Sequence, residues 1–250
     1  MATETNTMCV SQAIQPSSPS WRRLRGRAAQ LCGDAKRARA ARAALDTSED
    51  SACDSPKAEG TTMTLGGGVV DPDADLVARV AGGDGAAAAA LIDRHMRPMT
   101  DLAFRMLGDA QEAEDVVQDL YVKVWRNAAK WTPGRAKFST WMHRVAINLC
   151  YDRLRKRRET PLSEPPETID DGLAPDEALS EQETSAIVRA AIGALPERQR
   201  AAIVLCHYRH LGNIEAAEAL GVSVEALESL LARGRRALRT KLAPMAEELL

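Results

Sequence analysis

The segment Phe138–Arg158, FSTWMHRVAINLCYDRLRKRR, limits the possible folds more than any other stretch of the chain. Met142, Val145, Ala146, Leu149 and Cys150 recur at the three- and four-residue spacing of an amphipathic helix. Arg144, Asn148, Asp152 and Arg155 make a second stripe on the opposite side. Ser139 and Thr140 are both candidates to cap the first turn. Aromatic residues (Trp131, Phe138, Trp141) precede this helix, and five basic residues, Arg153, Arg155, Lys156, Arg157 and Arg158, close it. Rings that accept unstacked bases beside cations that hold phosphates suit a single nucleic-acid strand. An ordinary amphipathic helix with a solvated basic end fits the same pattern.

The rest of the chain is helical in pattern from Asp71 onward. Asp73 or Asp75 is placed to cap a helix containing Leu76, Val77 and Val80, which Gly82 and Gly83 stop. An apolar stripe from Leu91 to Leu107 ends at Gly108, and Pro98 predicts a kink or break within it. After Asp109, the residues Val116, Val117, Leu120, Tyr121, Val124 and Trp125 mark a buried face. Asp115, Gln118, Asp119 and Val122 form a separate stripe that is acidic, amide-bearing and partly apolar, suited to docking a basic helix.

Between Glu159 and Glu183 the chain carries nine acids and no Lys or Arg, with prolines at 161, 165, 166 and 175. This reads as a linker holding a domain boundary. Helical pattern returns over Asp176–Leu195 and Glu197–Leu211, on either side of Pro196. Asn213 then caps a short helix, Gly221 supplies a turn and Ser223 caps the next helix. Small Ala217 sits where two helices cross, and Leu220, Val222, Leu227 and Leu230 fill the space between them. That combination predicts a helix-turn-helix.

Scarce aromatics and abundant Ala, Leu, Arg and Glu favour an all-α protein. The expected organisation is a disordered extension over 1–70, helical domains over 71–158 and 184–250, and a flexible acidic linker over 159–183. The extension, ending at GGG (66–68), lacks the means to build a core. Its Arg/Ala segment is either a transient basic helix on nucleic acid or a stretch without a role ahead of a native start at Met63. A net charge of −2 hides two cationic clusters, at 153–158 and 233–241.

Five cysteines in no disulfide or CxxC pattern fit a reducing cytoplasm. His207 and His210, beside Cys206, lack a second ligand cluster, so no metal is expected. No apolar run approaches the length of a membrane span, and no signal peptide is evident.

Both halves together resemble the extracytoplasmic-function RNA polymerase sigma factors of the sigma-70 family, over about Asp73 to Leu242. The resemblance rests on AEDVVQDLYVKVWR, FSTWMHRVAINLCYDRLRKRR and LPERQRAAIVLCHY with the helix-turn-helix behind it. It implies a non-enzymatic initiation subunit without cofactor or small-molecule substrate. Its partners would be core RNA polymerase (the clamp helices of the largest subunit and the flap region), promoter DNA and an anti-sigma factor. It would be cytoplasmic, on the nucleoid in holoenzyme, and held at the inner membrane where its anti-sigma factor is anchored there.

The resemblance assigns polymerase docking to Asp115, Gln118, Asp119 and Val122. It assigns capture and melting of the −10 element to Lys137, Phe138, Trp141, Arg144, Asn148, Asp152 and Arg155. Contact with the −35 duplex falls to Ser229, Arg233, Arg235 and Arg236. The acidic linker would lie in the polymerase's basic channel until RNA displaces it. One departure from relatives is Glu225, Glu228 and Leu230 early in the recognition helix, where basic residues are common. Acids there repel phosphate, which places −35 affinity on Arg233 and the residues after it.

Two other classes compete. A stand-alone helix-turn-helix regulator would bind duplex DNA without polymerase, but leaves the N-terminal helices without a task. A nuclease built on Glu112, Asp115 and Asp119 would cleave DNA with magnesium.

Overall fold

A computed structural model describes residues 71–132, 136–159 and 176–246. The expected N-terminal extension and the linker residues 160–175 lie outside these. The described residues form eight α-helices and no strand. In chain order they are α1 (Ala74–Ala81), α2 (Gly85–Leu107), α3 (Ala110–Asn127), α4 (Phe138–Glu159), α5 (Asp176–Gly193), α6 (Glu197–Ile203), α7 (Asn213–Leu220) and α8 (Val224–Ala246). A 3-10 turn, Ala128–Lys130, follows α3, and a π turn, Val204–Tyr208, follows α6.

The first four helices pack around α2. Leu91, Ile92, Met99, Leu102 and Met106 of α2 are fully buried, as are Val116, Val117, Leu120 and Tyr121 of α3. Helix α2 runs through Pro98 without a break, which leaves the kink of the two expected outcomes. Gly108 ends it in the left-handed conformation (φ 74°), which glycine adopts without a Cβ penalty. Asp109 caps α3 by accepting the Glu112 N–H at 2.8 Å.

Three expected caps are corrected. Asp73 precedes α1, but its buried carboxylate accepts from His95 Nε2 at 2.7 Å and from Arg94. It therefore ties α1 to α2. Neither Ser139 nor Thr140 caps α4, because the helix already begins at Phe138, whose N–H donates to the distant Asp71 carboxylate. Asn213 lies inside the first turn of α7, behind Gly212, and its side-chain amide donates to Glu228 Oε1 at 3.3 Å.

In the second half, α8 crosses both α6 and α7. Gly234 makes the crossing with α6 close, since a Cβ there would stand 3.1 Å from Ile203 Cγ1. Gly221 supplies the expected turn (φ 65°, ψ 38°), and Ser223 Oγ accepts the Ala226 N–H at 3.2 Å. Helix α5 starts at Asp176, where helical pattern was expected to return, and so takes up the last part of the 159–183 stretch read as linker. Helix α6 gives way at Val204 to the π turn, which ends at Tyr208, so the expected Glu197–Leu211 helix is shorter, and His210 beyond it has φ 53°.

The halves meet. Helix α4 packs against α7, and α2 packs against α5, α6 and the π turn. This explains why α4 buries more than its sequence pattern suggests. His143 and Ile147 are buried along with Met142, Ala146, Leu149 and Cys150, and Val145 is only half-buried.

Candidate nucleic-acid interface

Helix α3 presents the acidic stripe outward. Asp119 is exposed, while Asp115, Gln118 and Val122 are half-exposed. Arginines from α4 reach across to this helix. Arg153 Nη2 donates to Asp119 Oδ2 at 3.4 Å, and its Nη1 lies 3.9 Å from Asp115 Oδ2. Arg157 holds Glu112 at 2.7 Å and also donates to the Leu107 carbonyl at 3.0 Å. Each acid of the alternative nuclease cluster thus already has a guanidinium partner. Arg153 was legible only as one of the cations closing α4; its pairing with α3 was not, because the two helices meet only in the fold.

At the start of α4 the three aromatic residues form a cluster. Trp131 meets Phe138 edge-on with centroids 5.5 Å apart, and Phe138 lies 5.4 Å from Trp141. Phe138 is fully buried, so the expected contact with a −10 base would need its ring uncovered. It instead backs Trp131 and Trp141, both of which are half-exposed. Arg144, Asn148 and Arg155 are exposed along one stripe, with Asp152 half-exposed and accepting from Arg155 at 2.9 Å. Lys137, just ahead of α4, donates to Glu215 Oε1 at 2.6 Å, and that carboxylate raises the lysine above its ordinary value.

Buried groups beneath this surface stay uncharged. Burial pushes His143 down to about 4, outweighing the opposing hydrogen bond of its Nδ1 with the Ser139 carbonyl. Burial likewise pushes the Cys150 thiol up to about 12. Cys150 is therefore an inert core residue.

The helix-turn-helix is α7, the Gly221 turn and α8. Ser229, Arg233 and Arg236 recur at the i, i+4, i+7 spacing of one face of α8, and Arg233 donates to Ser229 Oγ at 2.7 Å. Arg233 and Arg236 are exposed. Arg235 points elsewhere, its Nε lying 3.3 Å from His207 Nε2 beside the π turn. Glu225 shares the face with Ser229, one turn earlier.

An all-helical chain with an aromatic-led polar helix in one half and a helix-turn-helix in the other has the architecture of a transcription initiation factor. Residues 91–160 match the family model for sigma-70 region 2, and residues 185–238 match that for sigma-70 region 4. The ECF RNA polymerase sigma factor SigW of Bacillus subtilis is 33% identical over 177 residues, which span 66% of this chain and 94% of the relative. The sigma factor CnrH of Cupriavidus metallidurans is 32% identical over 178 residues, 67% of this chain and 93% of that protein. A solved structure of CnrH in complex with the cytosolic domain of CnrY superposes with a TM-score of 0.55 at 28% identity, covering 70% of this chain and 99% of that one. The chain belongs to the ECF RNA polymerase sigma factors of the sigma-70 family. It is accordingly a promoter-specificity subunit for transcription initiation. Among the described residues, no helix is long and apolar enough to cross a membrane.

Proposed function

We propose a division of labour between the two halves of this sigma factor. The outer face of α3, through Asp115, Gln118, Asp119 and Val122, docks core RNA polymerase. The α4 surface, through Lys137, Trp141, Arg144, Asn148, Asp152 and Arg155, takes up the separated −10 strand. Ser229, Arg233 and Arg236 on α8 meet the −35 duplex as phosphate and groove contacts, while Arg235 steadies the domain against His207. The observation that carries this reading is the exposed polar stripe of α4, which runs on from a cluster that leaves Trp141 half-exposed.

Separating the strands costs a few kcal/mol per base, roughly what stacking and phosphate contacts return. No step needs a catalytic group of this chain. The acidic segment between the halves is placed in the polymerase channel by the same reading. An anti-sigma partner follows by analogy with CnrH, solved with the cytosolic domain of CnrY. We place the protein in the cytoplasm, on the nucleoid when in holoenzyme, and at the inner membrane when such a partner is anchored there. Family membership takes in the N-terminal helices that a stand-alone regulator leaves idle.

Run-off transcription with purified core polymerase on the region upstream of the factor's own gene tests the reading. Initiation that depends on this chain is expected. No product, together with no recovery of polymerase in pull-downs, would overturn it.

A further inference from the structure

Helix α4 begins behind a residue whose side chain cannot cap it. Lys137 stands at the N-cap, where its carbonyl accepts the Trp141 N–H at 3.1 Å. Residues favoured at this position carry a side-chain oxygen for the unpaired N–H groups of the first turn. A lysine ammonium offers donors only. The acceptor comes instead from a residue ahead of α1: Asp71 Oδ2 accepts the Phe138 N–H across 67 positions of chain. Its negative charge also suits the positive end of the helix.

Asp71 is itself held in place. Its Oδ1 accepts the Asp73 N–H at 2.8 Å, and its carbonyl accepts the Ala74 N–H at 3.2 Å. The Asp73 carboxylate is in turn buried against His95 and Arg94 of α2, so the mount reaches into the packed first half. Helix α1, which follows, packs on the 3-10 turn Ala128–Lys130. The connection between α3 and α4 is thus held at its start by α1 and at its end by Asp71. Phe138 is gripped twice, at its N–H by Asp71 and at its ring by Trp131 and Trp141. Asp71 also adds, behind Glu215, to the attraction that raises the Lys137 ammonium above its ordinary value.

We propose that Asp71 is a positioning residue for capture of the −10 strand: it caps α4 from outside, so that the N-cap position can carry the cation Lys137, and it sets how Lys137 and Trp141 face the separated bases. This rests on the reading of α4 as the −10 surface. Serine or aspartate at position 137 would cap the helix locally but leave no cation at its entry. Asp71 need not touch DNA; it acts through the Phe138 backbone.

Charge and position pull in opposite directions here. Removing an acid beside a phosphate-binding surface should by itself tighten DNA binding, whereas freeing the first turn of α4 should weaken it. Asp71→Ala and Asp71→Asn lose the same charge, but asparagine keeps a carbonyl oxygen able to accept the Phe138 N–H. Holoenzyme reconstituted with each variant is titrated by anisotropy with a fluorescent single strand from the region upstream of the factor's own gene. Asp71→Ala should bind about fivefold more weakly than Asp71→Asn, the factor that loss of one helix cap implies. Their affinities for core polymerase should match. Tyr121→Phe, which removes a buried hydrogen bond to the Ile92 carbonyl, lowers stability without touching the cap and should bind the strand as the native chain does.

Equal strand affinities for Asp71→Ala and Asp71→Asn, or tighter binding by Asp71→Ala, would overturn the proposal. So would a loss of the same size in Tyr121→Phe, which would show that lowered stability alone weakens capture. Failure of the underlying reading looks different. Unchanged strand binding by Trp141→Ala and Asn148→Ala would remove the −10 surface itself. Weakened binding in those variants, with Asp71→Ala and Asp71→Asn alike, would overturn the positioning role alone.

Discussion

Arg153 on α4 donates to Asp119 on α3 at 3.4 Å, so the acidic face proposed to dock polymerase carries a cation of its own. The guanidinium is two-thirds buried and also lies near Asp115, at 3.9 Å. It therefore competes with any basic partner for both carboxylates. Replacing Arg153 with Ala should tighten binding to core polymerase in the absence of DNA by about threefold, the scale of a single exposed pair. Asp119→Ala should weaken it. Anisotropy titrations of labelled protein with core enzyme decide this, and a looser Arg153→Ala complex would show that the arginine supports docking.

The buried Asp73 predicts a local acid sensitivity. Burial alone would raise its carboxyl, but bonding to His95 and Arg94 outweighs that and holds it below the ordinary value. A depressed carboxylate stabilises the fold above its unfolded value and loses that contribution as pH falls through the folded one. The Asp73 contribution should thus be complete above pH ~4 and fade below it. Asp73→Ala should cost about 3 kcal/mol at neutral pH, since it leaves the buried His95 ring and the exposed Arg94 without their shared carboxylate. Urea melts at pH 7 and pH 3 measure both effects, and the variant should lose less than the native chain on acidification.

His143 adds a second window, at higher pH. Its folded value of about 4 lies below the ordinary 6.5, and its buried Nε2 has no partner. Below pH 6.5 the unfolded chain takes up a proton that the folded chain refuses, so stability is full above that value and falls as pH drops toward 4. The loss approaches ~3 kcal/mol at the lower end. His143→Met should flatten this part of the stability profile. A decline of the same size in the variant would assign the effect to other groups.

Much of this architecture was legible because helical spacing reports a face buried on one side. Every residue expected on the inner face of α3, from Val116 to Trp125, is buried. The pattern of α4 was harder to read because it is covered twice. His143 and Ile147 are buried although they interrupt a simple stripe, on a helix that packs against α2, α3 and α7. Remote partners were also invisible. Asp71 reaches Phe138 across 67 positions and Glu215 reaches Lys137 across 78, distances over which no local rule operates. Glu215 carried no sequence signal as a site residue, and Arg153 only that of a cation in a basic cluster, since the partner of each lies on a helix in another part of the chain.

Gly221 tests the helix-turn-helix independently of DNA. It sits at φ 65° and ψ 38°, and the space around it would admit a Cβ at ordinary contact distance from Arg144. The cost of Gly221→Ala is therefore conformational, about 1 kcal/mol. Gly234→Val differs because its Cβ meets Ile203 in the α6–α8 crossing, where overpacking costs about 1–3 kcal/mol. Thermal melts of the two variants should rank Gly234→Val as the less stable.

The direction of the α8 arginines separates residues that the sequence grouped together. All three are exposed, but Arg233 and Arg236 share the Ser229 face whereas Arg235 is turned toward His207. Glu225 and Glu228 at the start of the helix repel phosphate, so the electrostatic attraction of this face falls to the two arginines beyond them. Each lost phosphate contact lowers the magnitude of the slope of log affinity against log salt by about 1. Arg233→Ala and Arg236→Ala should each weaken holoenzyme binding to promoter duplex and flatten that slope. Arg235→Ala should act less on the slope and more on thermal stability, because it loses the contact with the π turn. Filter binding across a salt series distinguishes the cases. A slope that responds to Arg235 but not to Arg233 or Arg236 would mean that a different face of α8 enters the groove.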